Sequence, residues 1–186
     1  MIKTKIKQIL TEIEQTLDEV DDYQVDLICK DILTARNIVV CGAGRMGLVA
    51  KGFAMRLGHL GKKSYTLGDA TLPHIGKRDL LLVCSGSGET QTIYDIALIA
   101  KENKAKLAMV TTYIDHNKSR MAKIADTVVI INAPTKIKKK SKSSIQPMTT
   151  LNEQCVQVFF DALVLLLMRK LNKTENDLWE KHTNLE

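Results

Sequence analysis

The sequence predicts a doubly wound α/β domain, in which helices cover both faces of a five-stranded parallel sheet with strand order 2-1-3-4-5. Short apolar runs alternate with longer segments of helical periodicity, as crossover connections between parallel strands require. The runs are nearly unbroken, as in Leu80 to Cys84, which is typical of strands buried on both faces. Two runs end in glycine-rich turns, and in such sheets ligands bind at the carboxyl ends of the strands.

The N-terminal segment, residues 1–36, is predicted to be helical. Apolar side chains recur at helical spacing from Ile2 to Val20, which predicts an amphipathic helix over the first twenty residues. Asp21 and Asp22 mark a break. A second helix is then outlined by Val25, Ile28, Ile32 and Leu33.

The α/β core is predicted over residues 37–131, within one domain of 186 residues. The predicted strands are Ile38–Cys41, Lys63–Leu67, Leu80–Cys84, Lys106–Thr111 and Thr127–Ile131. The predicted helices of the core are Met46–Leu60, Gly88–Asn103 and Asn117–Ala125. The strand order is the flavodoxin-like one, in which the order reverses between the first and third strands and opens a ligand crevice there.

A polar, basic connection is predicted over residues 132–148, and five lysines fall between Lys136 and Lys142. Such a run fits a solvated loop, a lid, or a surface that concentrates an anionic sugar phosphate. We expect no nucleic-acid partner, because the run has no aromatic side chain to stack on bases.

The C-terminal helices are predicted over residues 149–186. The longer helix, from Thr149 to Leu171, is apolar almost all round, so we expect it to pack on its own sheet and on another subunit of a homo-oligomer. Its most apolar part, Cys155 to Met168, is too short to span a bilayer, so no membrane is expected. A short helix, Glu175–Lys181, ends the chain.

Composition indicates a soluble protein of the cytoplasm. Hydrophobic residues make up 45% and charged residues 26%, the net charge is +6, and the N-terminus does not resemble a signal peptide. No CxxC pair and no histidine at ligand spacing accompanies the four cysteines, so we expect no metal site. Those cysteines are interpreted as reduced core residues: Cys29, Cys41, Cys84 and Cys155.

The two glycine-rich turns predict a phosphate site. They are Cys41-Gly42-Ala43-Gly44-Arg45 and Cys84-Ser85-Gly86-Ser87-Gly88-Glu89-Thr90, and each opens a helix. Glycine lets backbone N–H groups converge on an anion, and the helix dipole adds a partial positive charge. The second turn adds three hydroxyls and lacks the lysine of a nucleoside triphosphate loop, which favours a small phosphorylated metabolite.

A dinucleotide site is the rival interpretation, since Gly42 to Gly47 satisfies GxGxxG and Asp69 follows the second strand. The distance in sequence to that aspartate is longer than the usual spacing of about 20 residues. The hydroxyl-rich turn would then have no assigned purpose.

The motifs together resemble the sugar isomerase (SIS) domain family, within which the chain is most similar to the 6-phospho-3-hexuloisomerases. They are the two turns, Gln146-Pro147-Met148 leading to Glu153-Gln154, and the ending His182-Thr183-Asn184-Leu185-Glu186. The resemblance implies interconversion of D-arabino-hex-3-ulose 6-phosphate and D-fructose 6-phosphate in the ribulose monophosphate pathway of formaldehyde assimilation. It also implies a tetramer that needs no metal or organic cofactor.

The resemblance also assigns site residues. It implies that the phosphate is held by Ser85, Gly86, Ser87, Gly88, Glu89 and Thr90. It implies substrate contacts at the first turn from Gly44, Arg45 and Met46, and Glu153 as the catalytic base. The family usually has serine in place of Met46, glycine or serine in place of Thr149, and a hydrophobic residue in place of Asn152.

Glu153 and His182 each have two interpretations, one as a group that acts in the isomerisation and one as a structural or surface residue. Moving a carbonyl group from C3 to C2 through an enediol needs a base, which Glu153 would supply, although a glutamate in a first helical turn is often a capping partner. His182 would move protons between substrate oxygens or act in a neighbouring subunit's site, or it is a surface residue.

Arg45 and Glu89 also have two interpretations. Arg45 would neutralise the phosphate or the enediolate oxygen, or it points to solvent. The carboxylate of Glu89 would oppose a phosphate, so we expect the side chain to point away and its N–H to face the ligand.

Two further functions are compatible with the sequence. One is isomerisation of another sugar phosphate by an SIS enzyme, and the other is a non-catalytic module that senses a sugar phosphate. Such modules commonly accompany a DNA-binding domain, and no helix-turn-helix pattern precedes the first strand.

Overall fold

The computed structural model describes residues 1–112, 119–134 and 144–185. Five parallel strands form one sheet: β1 (Ile38–Gly42), β2 (Ser64–Thr66), β3 (Leu80–Cys84), β4 (Lys106–Thr111) and β5 (Thr127–Ile130). Their order is β2-β1-β3-β4-β5, which confirms the predicted topology. In the register, Val40 of β1 lies between Thr66 of β2 and Leu82 of β3. The crevice between β1 and β3 therefore lies at the reversal of strand order.

Helices precede, connect and follow the strands. They are α1 (Ile2–Leu17), α2 (Asp22–Thr34), α3 (Gly44–His59), α4 (Gln91–Glu102), α5 (Arg120–Ile124), α6 (Thr150–Leu171) and α7 (Glu175–Trp179). Each corresponds to a predicted helix. The largest differences are at α4 and α5, each of which begins three residues later than predicted. At α4 the chain first turns through Gly88 at φ +65°. The lysine run Lys136–Lys142 lies outside the described residues.

Two apolar layers cover the sheet. Helices α1, α2, α3 and α6 pack on one face, and α4 and α5 pack on the other. The rings of Phe53 in α3 and Phe160 in α6 stack with centroids 4.0 Å apart, which fixes these two helices against each other. All four cysteines are buried and free, as predicted.

Helix α6 has apolar residues on both its buried and its outer face. The helix has 22 residues, longer than the apolar run from Cys155 to Met168, and by length and composition it could cross a membrane. Half of its most apolar window is buried inside the protein, as in a core helix. On the outer face Val158, Leu165 and Leu166 remain exposed.

The buried carboxylate of Asp79, which precedes β3, is hydrogen-bonded to the two residues that precede β1. Asp79, 1% exposed, accepts a bidentate pair from Arg36 at 3.0 and 2.8 Å and bonds from the backbone and side chain of Asn37 and from Gly76 N–H. Burial alone would raise the pKa of Asp79, but the hydrogen bonds outweigh it and hold the pKa below its usual value. The charged form is therefore the one that the fold stabilises.

Replacing Asp79 by asparagine is expected to destabilise the protein by about 3 kcal/mol, because an amide turns an N–H₂ group toward these donors. Urea unfolding at pH 7 measures the loss. Since the folded pKa is lowered, the advantage of the wild type is complete above about pH 5 and shrinks as the pH falls below about 4.

The matched control for this measurement is Asp26→Asn. Asp26 contacts Lys170 at 3.4 Å and its side chain is 74% exposed, so we expect a change within about 0.5 kcal/mol. An equal, small effect of both substitutions would contradict the structural role of Asp79.

Candidate active site

A cavity of about 510 Å³ opens above the carboxyl ends of β1 and β3, where the sequence places the ligand crevice. Two glycine-rich turns and the start of α6 form its wall. Eight of the predicted site residues line it: Gly44, Arg45, Met46, Ser85, Gly86, Ser87, Thr90 and Glu153. The other lining residues are Ala43, Cys84, Met148, Thr149, Thr150 and Asn152.

The first turn is tight because Gly42 packs against Gly47 of α3. A Cβ added to Gly47 would lie 2.6 Å from the carbonyl oxygen of Gly42, and Gly44 has φ +59°. The turn carries the chain from β1 directly into α3, so the N-terminal end of that 16-residue helix faces the cavity. This geometry favours an anionic group there.

The second turn keeps hydroxyl donors available. Ser85 Oγ accepts a bond from Gly88 N–H and Ser87 Oγ accepts one from Glu89 N–H, both at 3.2 Å. Each oxygen thus uses a lone pair inside the turn, while its own O–H can be donated to a ligand. Since α4 begins directly after Thr90, two hydroxyls and a helix N-terminus converge on this side of the cavity.

Gly88 and Glu89 do not line the cavity. The carboxylate of Glu89 instead accepts bonds from the backbone N–H of Arg120 at 2.7 Å and from its Nε at 2.8 Å. Partial burial would raise the pKa of Glu89, but these bonds hold it below its usual value. The side chain points away as predicted, whereas its N–H is bonded to Ser87 rather than facing a ligand.

Glu153 lies in the first turn of α6 with its side chain 13% exposed. Its carboxylate accepts a bond from Thr149 Oγ1 at 2.9 Å and contacts Arg45 Nη1 at 3.1 Å. The same Nη1 lies 3.2 Å from Thr150 Oγ1. In the described part of the chain, side chains rather than backbone N–H groups hold this carboxylate. That arrangement favours a base in the cavity over a capping partner.

The segment that leads into α6 is clamped to α1. Glu12 accepts bonds from Ile145 N–H at 2.8 Å, from Ser144 Oγ at 2.9 Å and from Gln146 Nε2 at 3.1 Å. Partial burial would raise the pKa of Glu12, but these bonds outweigh it and lower the pKa. The clamp sets the position from which Met148, at φ +56°, turns the chain into the helix that carries Glu153.

His182 lies at the far end of α3 from the cavity. Its ring centroid is 5.2 Å from that of His59 and 5.3 Å from that of Trp179. Helix α3 runs from Gly44 at the cavity to His59, a length of about 22 Å. The imidazole of His182 therefore cannot reach the cavity of its own subunit.

A cysteine also lines the cavity, but it is not a thiolate. Burial raises the pKa of the Cys84 thiol well above its ordinary value, and the neighbouring Cys41 adds to this effect. A neutral thiol is a poor nucleophile. In the described ranges, no three His, Cys, Asp or Glu side chains are grouped so that they could hold a metal ion.

A sequence model of the SIS domain matches residues 31–157, which is more than half of the chain. The chain belongs to the SIS domain family. The matched residues include both turns and Glu153.

Relatives of this SIS domain extend over its whole length. A 3-hexulose-6-phosphate isomerase of Mycobacterium gastri is 38% identical and covers 100% of this chain and 92% of its own. One of Bacillus subtilis is 35% identical and covers 97% of both chains. A solved structure from Methanococcus jannaschii, from which a function of 3-hexulose-6-phosphate isomerase was inferred, has a TM-score of 0.83 at 28% identity and covers 98% and 99%.

Sequence reasoning named no role for three side chains that the structure brings to the cavity of the SIS domain: Thr149, Thr150 and Asn152. They follow the Gln146-Pro147-Met148 segment: Thr149 is the N-cap residue of α6, and Thr150 and Asn152 lie in its first turn. Their proximity in sequence to Glu153 was a usable signal, since residues of one helical turn share an end of the helix. The contact of Arg45 with Thr150 had no sequence signal, because 105 residues separate them.

Gly88→Ala is expected to destabilise the protein by about 3 kcal/mol and to weaken binding of inorganic phosphate. The added Cβ would lie 2.1 Å from Ser119 Oγ and 2.9 Å from Met109 Cε, at a backbone φ of +65°. Urea unfolding and isothermal titration calorimetry measure the two effects.

Gly61→Ala isolates the backbone contribution, because Gly61 has φ +84° and no atom within 4 Å of an added Cβ. We expect a loss of about 1 kcal/mol and unchanged phosphate binding. If the two variants behaved alike, the close packing of Gly88 against Ser119 would not support the second turn.

Proposed function

We propose that this protein interconverts D-arabino-hex-3-ulose 6-phosphate and D-fructose 6-phosphate in the cytoplasm. The observation that carries the proposal is the Glu153 carboxylate, held by side chains in one cavity with a hydroxyl-rich turn at a helix N-terminus. The relatives named 3-hexulose-6-phosphate isomerase support the choice of substrate. The cavity volume lies in the range of small-molecule sites.

The phosphate is bound first, at the second turn. Ser85, Ser87 and Thr90 donate hydroxyl hydrogens to its oxygens, and the N-terminal end of α4 adds a partial positive charge. Phosphorylation of O6 prevents a hex-3-ulose from closing a five-membered ring onto C3. The sugar therefore enters the site as an open chain that extends from the phosphate toward α6.

Glu153 then acts as the base. Its carboxylate removes the proton from C2, the electrons form the C2–C3 double bond of an enediol, and the same carboxylate returns a proton to C3. Arg45 contacts the carboxylate and is 53% exposed, so its guanidinium can also reach an enediolate oxygen. Thr149 holds the other carboxylate oxygen in place.

Assembly with further copies of the chain completes the site in this proposal. A groove of about 200 Å³ between α1, α2 and α6 is lined by Leu17, Val20, Val25, Val158 and Leu166, among others. Val158, Leu165 and Leu166 of α6 are exposed, and exposed apolar side chains beside an apolar groove support self-association. The tetramer implied by the family resemblance would let His182 of one subunit serve the cavity of another, where it moves a proton between O2 and O3 of the enediol.

Glu153→Gln is expected to lower turnover by about 1,000-fold, because the amide cannot accept the C2 proton. The measurement is deuterium incorporation at C3 of fructose 6-phosphate in deuterated water, followed by NMR together with the appearance of the 3-ketose. Glu102→Gln, on the exposed end of α4, serves as control and should retain full activity.

Binding of a hexitol 6-phosphate to the Glu153→Gln variant should remain within about twofold of wild type, because the phosphate turn is unchanged. Parallel losses of turnover and binding would make Glu153 a structural residue. Binding by the wild type without any deuterium exchange would instead support a sensing module.

The role of His182 is tested by mixing two inactive variants of the chain. Glu153→Gln and His182→Ala chains are each expected to be inactive, and random co-assembly should restore activity to about a quarter of the sites if the histidine acts between subunits. Sedimentation analysis of the same samples determines the subunit count. No restoration, or full activity of His182→Ala alone, would exclude the intersubunit role.

A further inference from the structure

Arg120, the first residue of α5, is bonded to the end of the second turn through its backbone and its guanidinium group. Its backbone N–H donates to Glu89 Oε1 at 2.7 Å, and its Nε donates to Glu89 Oε2 at 2.8 Å. Its Nη2 donates to the carbonyl oxygen of Glu89 at 3.1 Å, and its Nη1 donates to Gln91 Oε1 at 3.0 Å. One residue thus holds both the turn and the first residue of α4.

The surroundings of Arg120 also pack on this part of the chain. The guanidinium carbon lies 4.5 Å from the ring centroid of Tyr94, in the first turn of α4. Ser119 Oγ and Met121 N–H both donate to the carbonyl oxygen of Gly88 at 3.4 Å. The start of α5 is therefore fitted to the second turn. Of the three residues that make these contacts from α5 and its N-cap, Arg120 alone carries a charge.

The carboxylate of Glu89 is a negative charge next to a turn suited to an anion. Glu89 lies in sequence between Ser87 and Thr90, both of which line the cavity. A like charge so close weakens the binding of an anion unless a cation compensates it. Arg120 is such a cation, since its Nε lies 2.8 Å from the Glu89 carboxylate, and Lys123 adds a smaller Coulomb attraction.

We propose that Arg120 is a positioning residue of the phosphate site, which neutralises the Glu89 carboxylate and keeps it turned away from the anion at the second turn. This inference rests on the proposed function, because that function places the phosphate there. Arg120 does not line the cavity, so it acts on the anion through Glu89 and not by contact. Without Arg120, the carboxylate loses its ion pair and is free to turn toward a phosphate dianion.

The competing interpretation is a surface ion pair that only joins neighbouring elements. Lys101 and Asp126 form such a pair at 2.7 Å, at the other end of α4. Their side chains are 33% and 36% exposed, against 41% and 32% for Arg120 and Glu89. Because the two pairs are similarly exposed, their removal should change stability by similar, small amounts. Only the pair of Arg120 adjoins residues that line the cavity, so Lys101→Met is the matched control.

The experiment measures binding of sorbitol 6-phosphate at pH 7.5 by isothermal titration calorimetry. Arg120→Met keeps an aliphatic side chain and removes the charge, and we expect it to weaken binding about tenfold. Lys101→Met should bind within about twofold of the wild type. The melting temperatures of the two variants should agree within about 3 °C, so that a loss of affinity cannot be attributed to a loss of folded protein.

Two further measurements separate this electrostatic role from a purely structural one. Adding Glu89→Gln to Arg120→Met should restore binding to within about threefold of the wild type, because the uncompensated charge is gone. The amide oxygen can still accept the bond from the backbone N–H at position 120. In 1 M NaCl the deficit of Arg120→Met should likewise shrink to less than about threefold, since the Debye length is then only about 3 Å.

The proposal is overturned if Arg120→Met binds sorbitol 6-phosphate as tightly as the wild type, or if the double variant stays as weak as the single one. Arg120→Gln, which is also uncharged, gives the same comparisons if the methionine variant does not fold. Failure of the wild type to bind would refute the phosphate site and both proposals. The expected pattern of binding without isomerase activity in the wild type would sustain the role of Arg120 and refute the proposed reaction.

Discussion

The close approach of two glycine turns above β1 and β3 is the constraint on which the rest of the structure depends. A Cβ on Gly42 would lie 3.0 Å from the carbonyl oxygen of Cys84, and one on Gly47 would lie 2.6 Å from Gly42 O. Only because these side chains are absent can α3 begin beside β3 and leave a crevice between the strands. The cavity and the contact of Arg45 with Glu153 lie beside this close approach.

Helix α6 contributes to both the core and the candidate site, and it also carries an exposed apolar face. Its buried face, with Phe160 stacked on Phe53, completes the core on one side of the sheet. Its first turn carries Glu153, and its outer face leaves Leu165 exposed. A packing change along this one helix would therefore reach the cavity-lining carboxylate and the exposed apolar face together, because a helix moves as a rigid element.

Much of the fold was predictable because its signals are local. The strands β3 and β4 have the predicted bounds, since their apolar runs are long and both ends carry polar residues. The predicted start of α4 was three residues too early, because a positive φ at Gly88 and its packing on Ser119 cannot be recognised from the turn's own sequence. The site was predictable where it lies on motifs, as at Ser85 and Glu153.

The sequence by itself determined the class of the fold, the two glycine-rich turns and the candidate base, because periodicity, missing Cβ atoms and residue chemistry are properties of short segments. Only the tertiary structure decided which residues contact one another. It brought Arg45 to Glu153 across more than one hundred residues, turned Glu89 toward Arg120, set His182 at the far end of α3, and buried Asn152 in the cavity wall. Such contacts depend on how distant segments pack, and no local pattern encodes that geometry.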